Sequence, residues 1–183
     1  MTDDWPLDRY RPLLLLHTRQ LRLGTLRRAK FDSSDVVHET FLKALRGRDT
    51  FRGNTEGELV AWLRAILRNV LVDQVRASAV CGAVAASLDD ANEAGTPIAA
   101  YLTAASPGPS TLASRKEEIL RVAAAVGRLP EDEQDAVVAR HVLGLPVCEV
   151  AARLGRTEKA AAMLLYRAKV RLKELLAEGE GGA

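Results

Sequence analysis

Val147-Cys-Glu-Val-Ala-Ala-Arg-Leu-Gly-Arg-Thr-Glu-Lys-Ala160 is the stretch that decides the fold. Val147, Val150, Ala151 and Leu154 recur at i, i+3, i+4 and i+7, lining one face of a short helix. Gly155 ends that helix, because a residue without a Cβ enters the left-handed conformation at little cost. Thr157 is placed to cap the next one, which runs to about Ala177 with Ala161, Leu165, Ala168 and Leu172 as its core stripe. Helices joined by a tight Gly-containing turn predict a helix-turn-helix. Arg153, Arg156, Lys159, Arg167, Lys169, Arg171 and Lys173 stand around the second helix against Glu158 and Glu174. Attraction to phosphate needs a charge excess of this kind. A solvated charged helix packed on a bundle would carry the same residues, so the pattern alone leaves both readings open.

Working back from this stretch, Leu129-Pro130 separates a helix over Ser114–Gly127 from one over Glu131–Leu143, which Gly144 and Pro146 stop. Residues 81–114 carry three acids (Asp89, Asp90, Glu93) and no base, and end in Ser106-Pro-Gly-Pro-Ser110. A segment so rich in Ala, Ser, Thr, Gly and Pro has little large apolar surface to offset its ordering entropy. It reads as a linker, partly extended; an Ala-rich helix over Ala83–Leu88 is the other reading of that piece. Residues 1–80 hold 14 basic and 10 acidic side chains and read as three helices. The first runs over Leu7–Leu26. The second follows the cap signal Asp32-Ser33-Ser34 and reaches about Arg48. Thr55 and Glu58 form a T-x-x-E capping box that starts the third, which runs to about Ser78. The expected fold is all-α: two small helical domains, 1–80 and 115–183, joined by a flexible linker over 81–114, the second domain containing the helix-turn-helix.

Composition agrees and narrows the function classes. The chain has 183 residues, a net charge of +2, 48% apolar and 27% charged residues, and only 4% aromatics. Abundant Ala, Leu, Arg and Glu with few β-branched runs favour helix. The apolar run Leu13–Leu16 is far too short to cross a bilayer, so no membrane insertion is expected. Asp3 and Asp4 stand where a secretory leader would be basic, so the expected location is the cytoplasm, with no further regulatory domain beyond Ala177. Cys81 and Cys148 form neither a disulfide framework nor a zinc knuckle, and His17, His38 and His141 match no metal spacing. With no phosphate loop and no nucleophile elbow either, the sequence predicts no metal, no cofactor and no enzyme.

Two further constellations stand out in the first domain. On the third helix, Leu59, Leu63, Ile66, Leu67, Val70 and Gln74 face one way as core. Trp62, Asn69, Asp73 and Arg76 share an adjoining edge, and an indole flanked by amide and guanidinium groups suits stacking on bases and bonding to them. A half-buried Trp beside an Asp73–Arg76 pair would look the same. Arg64 and Arg68 fall on the far side and are placed to touch phosphate. On the second helix, Val37, Phe41, Ala44 and Leu45 form the core stripe, while Asp35, Glu39, Leu42 and Arg46 line the opposite ridge. An exposed Leu among charges hints at a protein docking surface, although single surface leucines are ordinary.

These residues resemble a family. Asp35-Val-Val-His-Glu-Thr-Phe-Leu-Lys-Ala44 resembles the D-x-V-Q-E-x-F-L-x-A core-binding segment of bacterial RNA polymerase sigma factors. Ala61-Trp-Leu-Arg64, Asn69 and Asp73-Gln-Val-Arg76 resemble their promoter-melting helix. Leu129-Pro130 and Glu149-Val-Ala-x-x-Leu-Gly155 resemble the L-P…E-I-A-x-x-L-G signature of their second DNA-binding domain. The likeness covers about residues 7–79 and 115–177, and two such domains alone are similar to the extracytoplasmic-function class. It implies that Asp35, His38, Glu39 and Leu42 dock on the largest subunit of core RNA polymerase. It implies that Asn54 and its loop take a flipped base of the minus-ten element, with Trp62, Asn69, Asp73 and Arg76 at the melting junction. Arg156, Thr157, Lys159, Met163 and Arg167 would read the minus-thirty-five element of promoter DNA. The acidic linker would thread toward the polymerase channels, and an anti-sigma factor is an implied partner.

The sequence departs from the pattern at three places. His38 stands where Gln is usual. Only one aromatic, Trp62, stands where housekeeping members carry two. Ala162-Met163-Leu164 replaces a polar run in the final helix. Two other functions fit parts of the chain. A helix-turn-helix regulator acting without polymerase explains residues 115–177 but not the docking ridge. A helical adaptor that binds no DNA leaves the bases of the final helix unexplained.

Overall fold

The computed structural model describes residues 7–24, 31–77 and 109–178, and of residues 75–77, 109–113 and 115 the backbone alone. Among the described residues every regular element is a helix. The chain divides into two compact units, Met1–Ala105 and Ser106–Ala183. The linker reading up to Gly108, with its Ala83–Leu88 alternative, lies outside the described residues.

In the first unit, α1 (Leu7–Leu23), α2 (Ser33–Arg46) and α3 (Glu56–Ala77) pack together, with a 3₁₀ turn at Arg48–Thr50. Asp32 caps α2, its carboxylate accepting the Ser34 N–H at 2.6 Å. The core joins Leu13 and Leu14 to Val36, Val37, Phe41 and Ala44, and these to Leu63, Leu67, Val70 and Leu71. Truncating one such leucine to Ala costs about 2–5 kcal/mol. Thr18 and Thr40 are also fully buried, and each hydroxyl donates to the carbonyl one turn back, Leu14 at 2.8 Å and Val36 at 2.7 Å. Their burial therefore leaves no unmet donor.

Two expectations for this unit are corrected, at Leu45 and Arg64. Leu45 is 53% exposed and does not belong to the core. The buried stripe of α2 is centred on Thr40 and Ala44 because it includes Val36, and Leu45 falls about 100° from that centre. Helix α1 spans Leu7–Leu23, with Gly24 N–H bonded to the Gln20 carbonyl at 2.9 Å, and its expected end at Leu26 lies outside the described residues. Arg64 does not stand out toward solvent. It is half-buried, its charge reaches His17 of α1, and burial pulls its own pKa down.

In the second unit, α4 (Pro109–Gly127) and α5 (Glu131–Val137) precede α6 (Val147–Leu154) and α7 (Glu158–Glu178). Helix α4 starts earlier than Ser114, inside the stretch read as linker, with a proline in its first turn where a missing N–H costs nothing. Gln134 bridges the break at Leu129-Pro130, its side-chain amide donating to the carbonyls of Gly127 and Leu129 at 3.2 and 2.7 Å. The helix predicted over Glu131–Leu143 changes pitch. After Val137 it widens into a π turn over Val138–Val142, which Gly144 ends at φ +70°. Its core is Leu120, Ala123, Val126, Leu129, Ala136, Val138 and Ala139 against Val150, Ala151, Ala161, Leu164 and Ala168. Leu164 is thus buried and takes no part in an outward face. Leu165 and Leu172 lie half-buried at the margin of the stripe where the sequence placed them at its centre.

Candidate functional site

The α2 ridge is open as the sequence predicts. Asp35, His38 and Arg46 are exposed, Glu39 is half-exposed, and Leu42 is 41% exposed. Leu45 joins Leu42 at i+3, so the ridge presents an apolar pair beside its acids. Lys43 projects from the side of this ridge. Its Nζ lies 3.3 Å from Glu39 Oε1 and 3.2 Å from Asp73 Oδ2 on α3. The bond to Asp73, with further help from Glu39, raises the Lys43 pKa above its ordinary value.

The loop before α3 is built on the capping box. Glu58 Oε2 accepts the backbone N–H groups of Asn54 and Thr55 at 2.8 and 2.9 Å and the Thr55 hydroxyl at 2.9 Å. The Glu58 N–H returns a 3.3 Å bond to Thr55 Oγ1. These donors, the Asn54 N–H first, hold the Glu58 carboxyl below the usual carboxylate range. The Phe51 ring leans on the Trp62 indole with centroids 5.2 Å apart and planes tilted by 45°. Gly53 lets the loop lie this close. A Cβ there would come within 2.5 Å of the Phe51 ring and 2.8 Å of Glu58 Cβ. The Asn54 side chain is exposed at the tip. Trp62 is half-buried, Asn69 and Asp73 are exposed along the same edge of α3, and the Arg76 side chain lies outside the described residues.

In the second unit, Gly155 adopts φ +63°, and the Arg156 N–H closes the turn on the Ala151 carbonyl at 2.9 Å. Thr157 caps α7, its hydroxyl accepting the Ala160 N–H at 3.2 Å. From there Lys159, Met163 and Arg167 form one ridge at four-residue spacing, all exposed. Met163 is 50% and Tyr166 64% exposed, and Val170 extends the apolar stripe. Ala162 faces out with them. Guanidinium groups of this basic set are bound within the unit. Arg156 pairs with Asp132, and Arg171 reaches the buried carboxylate of Glu133 at 2.8 Å. Acids at the start of α5 thereby tie it to the turn and to α7. Among the described residues no group of His, Cys, Asp and Glu forms a metal cluster.

Sequence reasoning did not find Lys43, Phe51 or Asp132. The Lys43–Asp73 pair spans 30 positions, and no periodicity reports a contact of that kind. Asp132 sits in an acidic first turn, a pattern that complementing the helix dipole explains already. Phe51 had a signal in Phe51-Arg-Gly-Asn-Thr55, an aromatic among polar residues and a glycine at the start of the capping box.

Residues 7–80 match the Sigma-70 region 2 family model, and residues 119–172 match Sigma-70, region 4. The chain belongs to the sigma-70 family of RNA polymerase sigma factors, in its extracytoplasmic-function class. It is 30% identical over 176 residues to the ECF RNA polymerase sigma factor SigM of Mycobacterium tuberculosis, covering 92% of this chain and 79% of that one. It is 35% identical over 150 residues to the ECF RNA polymerase sigma factor BldN of Streptomyces coelicolor. That match covers 80% of this chain and about half (52%) of the relative's length. Among solved structures, the sigma factor RpoE of Bartonella quintana, crystallised with the anti-sigma factor NepR, aligns at 22% identity with a TM-score of 0.36. The alignment covers 90% of this chain and 93% of that one. Among the described residues no helix is long and apolar enough to cross a membrane.

Proposed function

We propose that this chain recruits core RNA polymerase to promoters, recognises two promoter elements and holds an unpaired strand, while catalysis stays with the polymerase. The observation that carries the reading is the first unit's layout. An acidic ridge with exposed Leu42 and Leu45 stands on α2, and a Trp62–Asn69–Asp73 edge stands on α3 beside a braced Asn54 loop. Asp35, His38, Glu39 and Leu42 dock on a basic polymerase surface, where complementary charge steers association. Asn54 takes a flipped base. Trp62 stacks at the junction of paired and unpaired DNA, with Asn69, Asp73 and Arg76 along it. In the second unit Arg156, Arg167 and Lys169 anchor phosphates upstream, and Thr157, Lys159 and Met163 meet the groove. The protein works in the cytoplasm under the control of an anti-sigma factor and needs no cofactor. Domain boundaries at 1–80 and 115–183, with 81–114 as a linker, belong to the same reading.

Run-off transcription with purified core polymerase on genomic fragments tests it. Promoter-specific transcripts that require the chain are expected. A gel shift on duplex promoter that core polymerase leaves unchanged would instead favour a regulator acting alone, and salt-independent partner binding without DNA affinity would favour an adaptor.

A further inference from the structure

The two working surfaces of the first unit share one cation. Lys43 lies one turn beyond Glu39 on α2, and its ammonium bonds both the Glu39 carboxylate of the docking ridge and the Asp73 carboxylate of the α3 edge. We propose that Lys43 is a positioning residue that makes the melting edge answer to polymerase docking. This rests on the assignment of the α2 ridge to polymerase and the α3 edge to DNA.

In the free protein Lys43 divides its donors between two anions, and its pKa is raised by both. An acidic ridge is complementary to a basic partner surface. A partner cation that takes Glu39 removes one acceptor from Lys43 and repels its ammonium. Asp73 is then the acceptor that remains, and the ammonium moves fully onto it. That neutralises the Asp73 carboxylate and fixes its rotamer along the Trp62 edge. Without polymerase, Asp73 keeps more of its negative charge, which disfavours phosphate at this edge. Docking on one helix thus prepares the neighbouring helix for a nucleic-acid strand. All three side chains are substantially exposed, so the effect belongs to the range of a surface ion pair: roughly two- to fivefold in rate.

The test uses holoenzyme assembled from the full chain and core polymerase, with Lys43→Met, Lys43→Arg, Asp73→Asn and the Lys43→Met/Asp73→Asn double variant. Core affinity, opening rate on a duplex promoter and opening rate on a pre-melted bubble are measured for each. Lys43→Met is expected to slow duplex opening about two- to fivefold, to lose much less on the bubble, and to bind core no more weakly than wild type. Lys43→Arg should open like wild type. In the Asp73→Asn background Lys43→Met should cost nothing further, because the pair no longer exists. Undiminished additivity, equal losses on duplex and bubble, or no loss at all would overturn the proposal. Opening rates unchanged in Trp62→Ala would overturn the underlying melting-edge reading and this proposal with it. Slowing by Trp62→Ala but not by Lys43→Met would remove the coupling alone.

Discussion

The Phe51 ring rests against the Trp62 indole, 5.2 Å from centroid to centroid. One aromatic comes from the loop that leads into α3 and the other from the helix edge. Their contact makes the loop that carries Asn54 and the edge that carries Asn69 and Asp73 one preorganised surface. Glu58 secures the same loop from below through the Asn54 and Thr55 N–H groups. Under the proposed function, a flipped base entering beside Asn54 would meet a backbone already fixed, and no binding energy would go into ordering it.

Trp62→Ala should slow open-complex formation on duplex promoters, and a pre-melted bubble should restore much of the loss. Stacking of a base on an aromatic is worth about 1–3 kcal/mol, or five- to more than a hundredfold. Rates on the two templates decide the point. Equal loss on both would mark Trp62 as a packing partner of Phe51 and nothing more.

Gly53→Ala should damage minus-ten recognition while sparing core binding. The added methyl would sit 2.8 Å from Glu58 Cβ, an atom close to the backbone that cannot simply swing away. The loop has to move, taking Asn54 with it. Transcription from promoters varied across the minus-ten element should fall and lose discrimination, and the melting temperature should drop by a few degrees. Full activity with unchanged discrimination would show that the loop's position is immaterial.

Glu39→Lys should lower core affinity sharply while helicity stays near wild type. It reverses a charge on the α2 ridge, and like charges across an interface cost several kcal/mol. It also places a second ammonium beside Lys43, whose Nζ now lies 3.3 Å from the Glu39 carboxylate. Co-purification with core polymerase reads the result, and retention equal to wild type would remove Glu39 from the docking surface.

Local signals in the sequence were enough for the helices, their caps and the ridges. The Thr55–Glu58 box, the Gly155 turn, the Thr157 cap and the exposed Asp35–Glu39–Leu42 line all follow from residues within one or two turns. What escaped depends on other helices. The rotation of α2 toward Val36, which expels Leu45, and of α7 toward Leu164 is set by the neighbouring helices packed on those sides. The buried polar end of α1, with His17, Thr18, Arg19 and Gln20, breaks the rule that apolar residues fill the core. The π turn after Val137 leaves no mark in the hydrophobic pattern.

His17 should make stability fall as pH is lowered from about 6.5 to about 4. Burial, aided by the positive charge of Arg64, lowers its pKa to about 4 from 6.5. Between these values the unfolded chain binds a proton that the folded chain refuses, so stability rises with pH across the window and is fully present above it. A shift of that size corresponds to roughly 3 kcal/mol. Urea denaturation from pH 7 to pH 4 should show a steeper decline for wild type than for His17→Gln. Parallel curves would mean that His17 titrates with its ordinary pKa.

The final helix carries the prediction that separates positioning from reading. Lys159, Ala162, Met163, Tyr166 and Val170 all face outward from α7, away from the buried Ala161, Leu164 and Ala168. In a helix-turn-helix this is the face presented to the major groove. Here it offers one cation near its start and then apolar or weakly polar groups, which pack against thymine methyls but make few bonds to base edges. Arg167 and Lys169 beside it are exposed and suited to phosphate, and contacts of that kind position without specifying. Arg156, the guanidinium in the turn, is already paired with Asp132, which reduces what it can give to DNA. Upstream recognition should therefore rest on Lys159 and on DNA shape, with weak discrimination among bases. Lys159→Ala should reduce transcription, and Ala162→Lys should raise duplex affinity and steepen its salt dependence by about one counterion. A saturation scan of the upstream element in run-off transcription measures the discrimination directly. A sharp requirement for several consecutive G·C pairs that survives Lys159→Ala would show that a different face of α7 enters the groove.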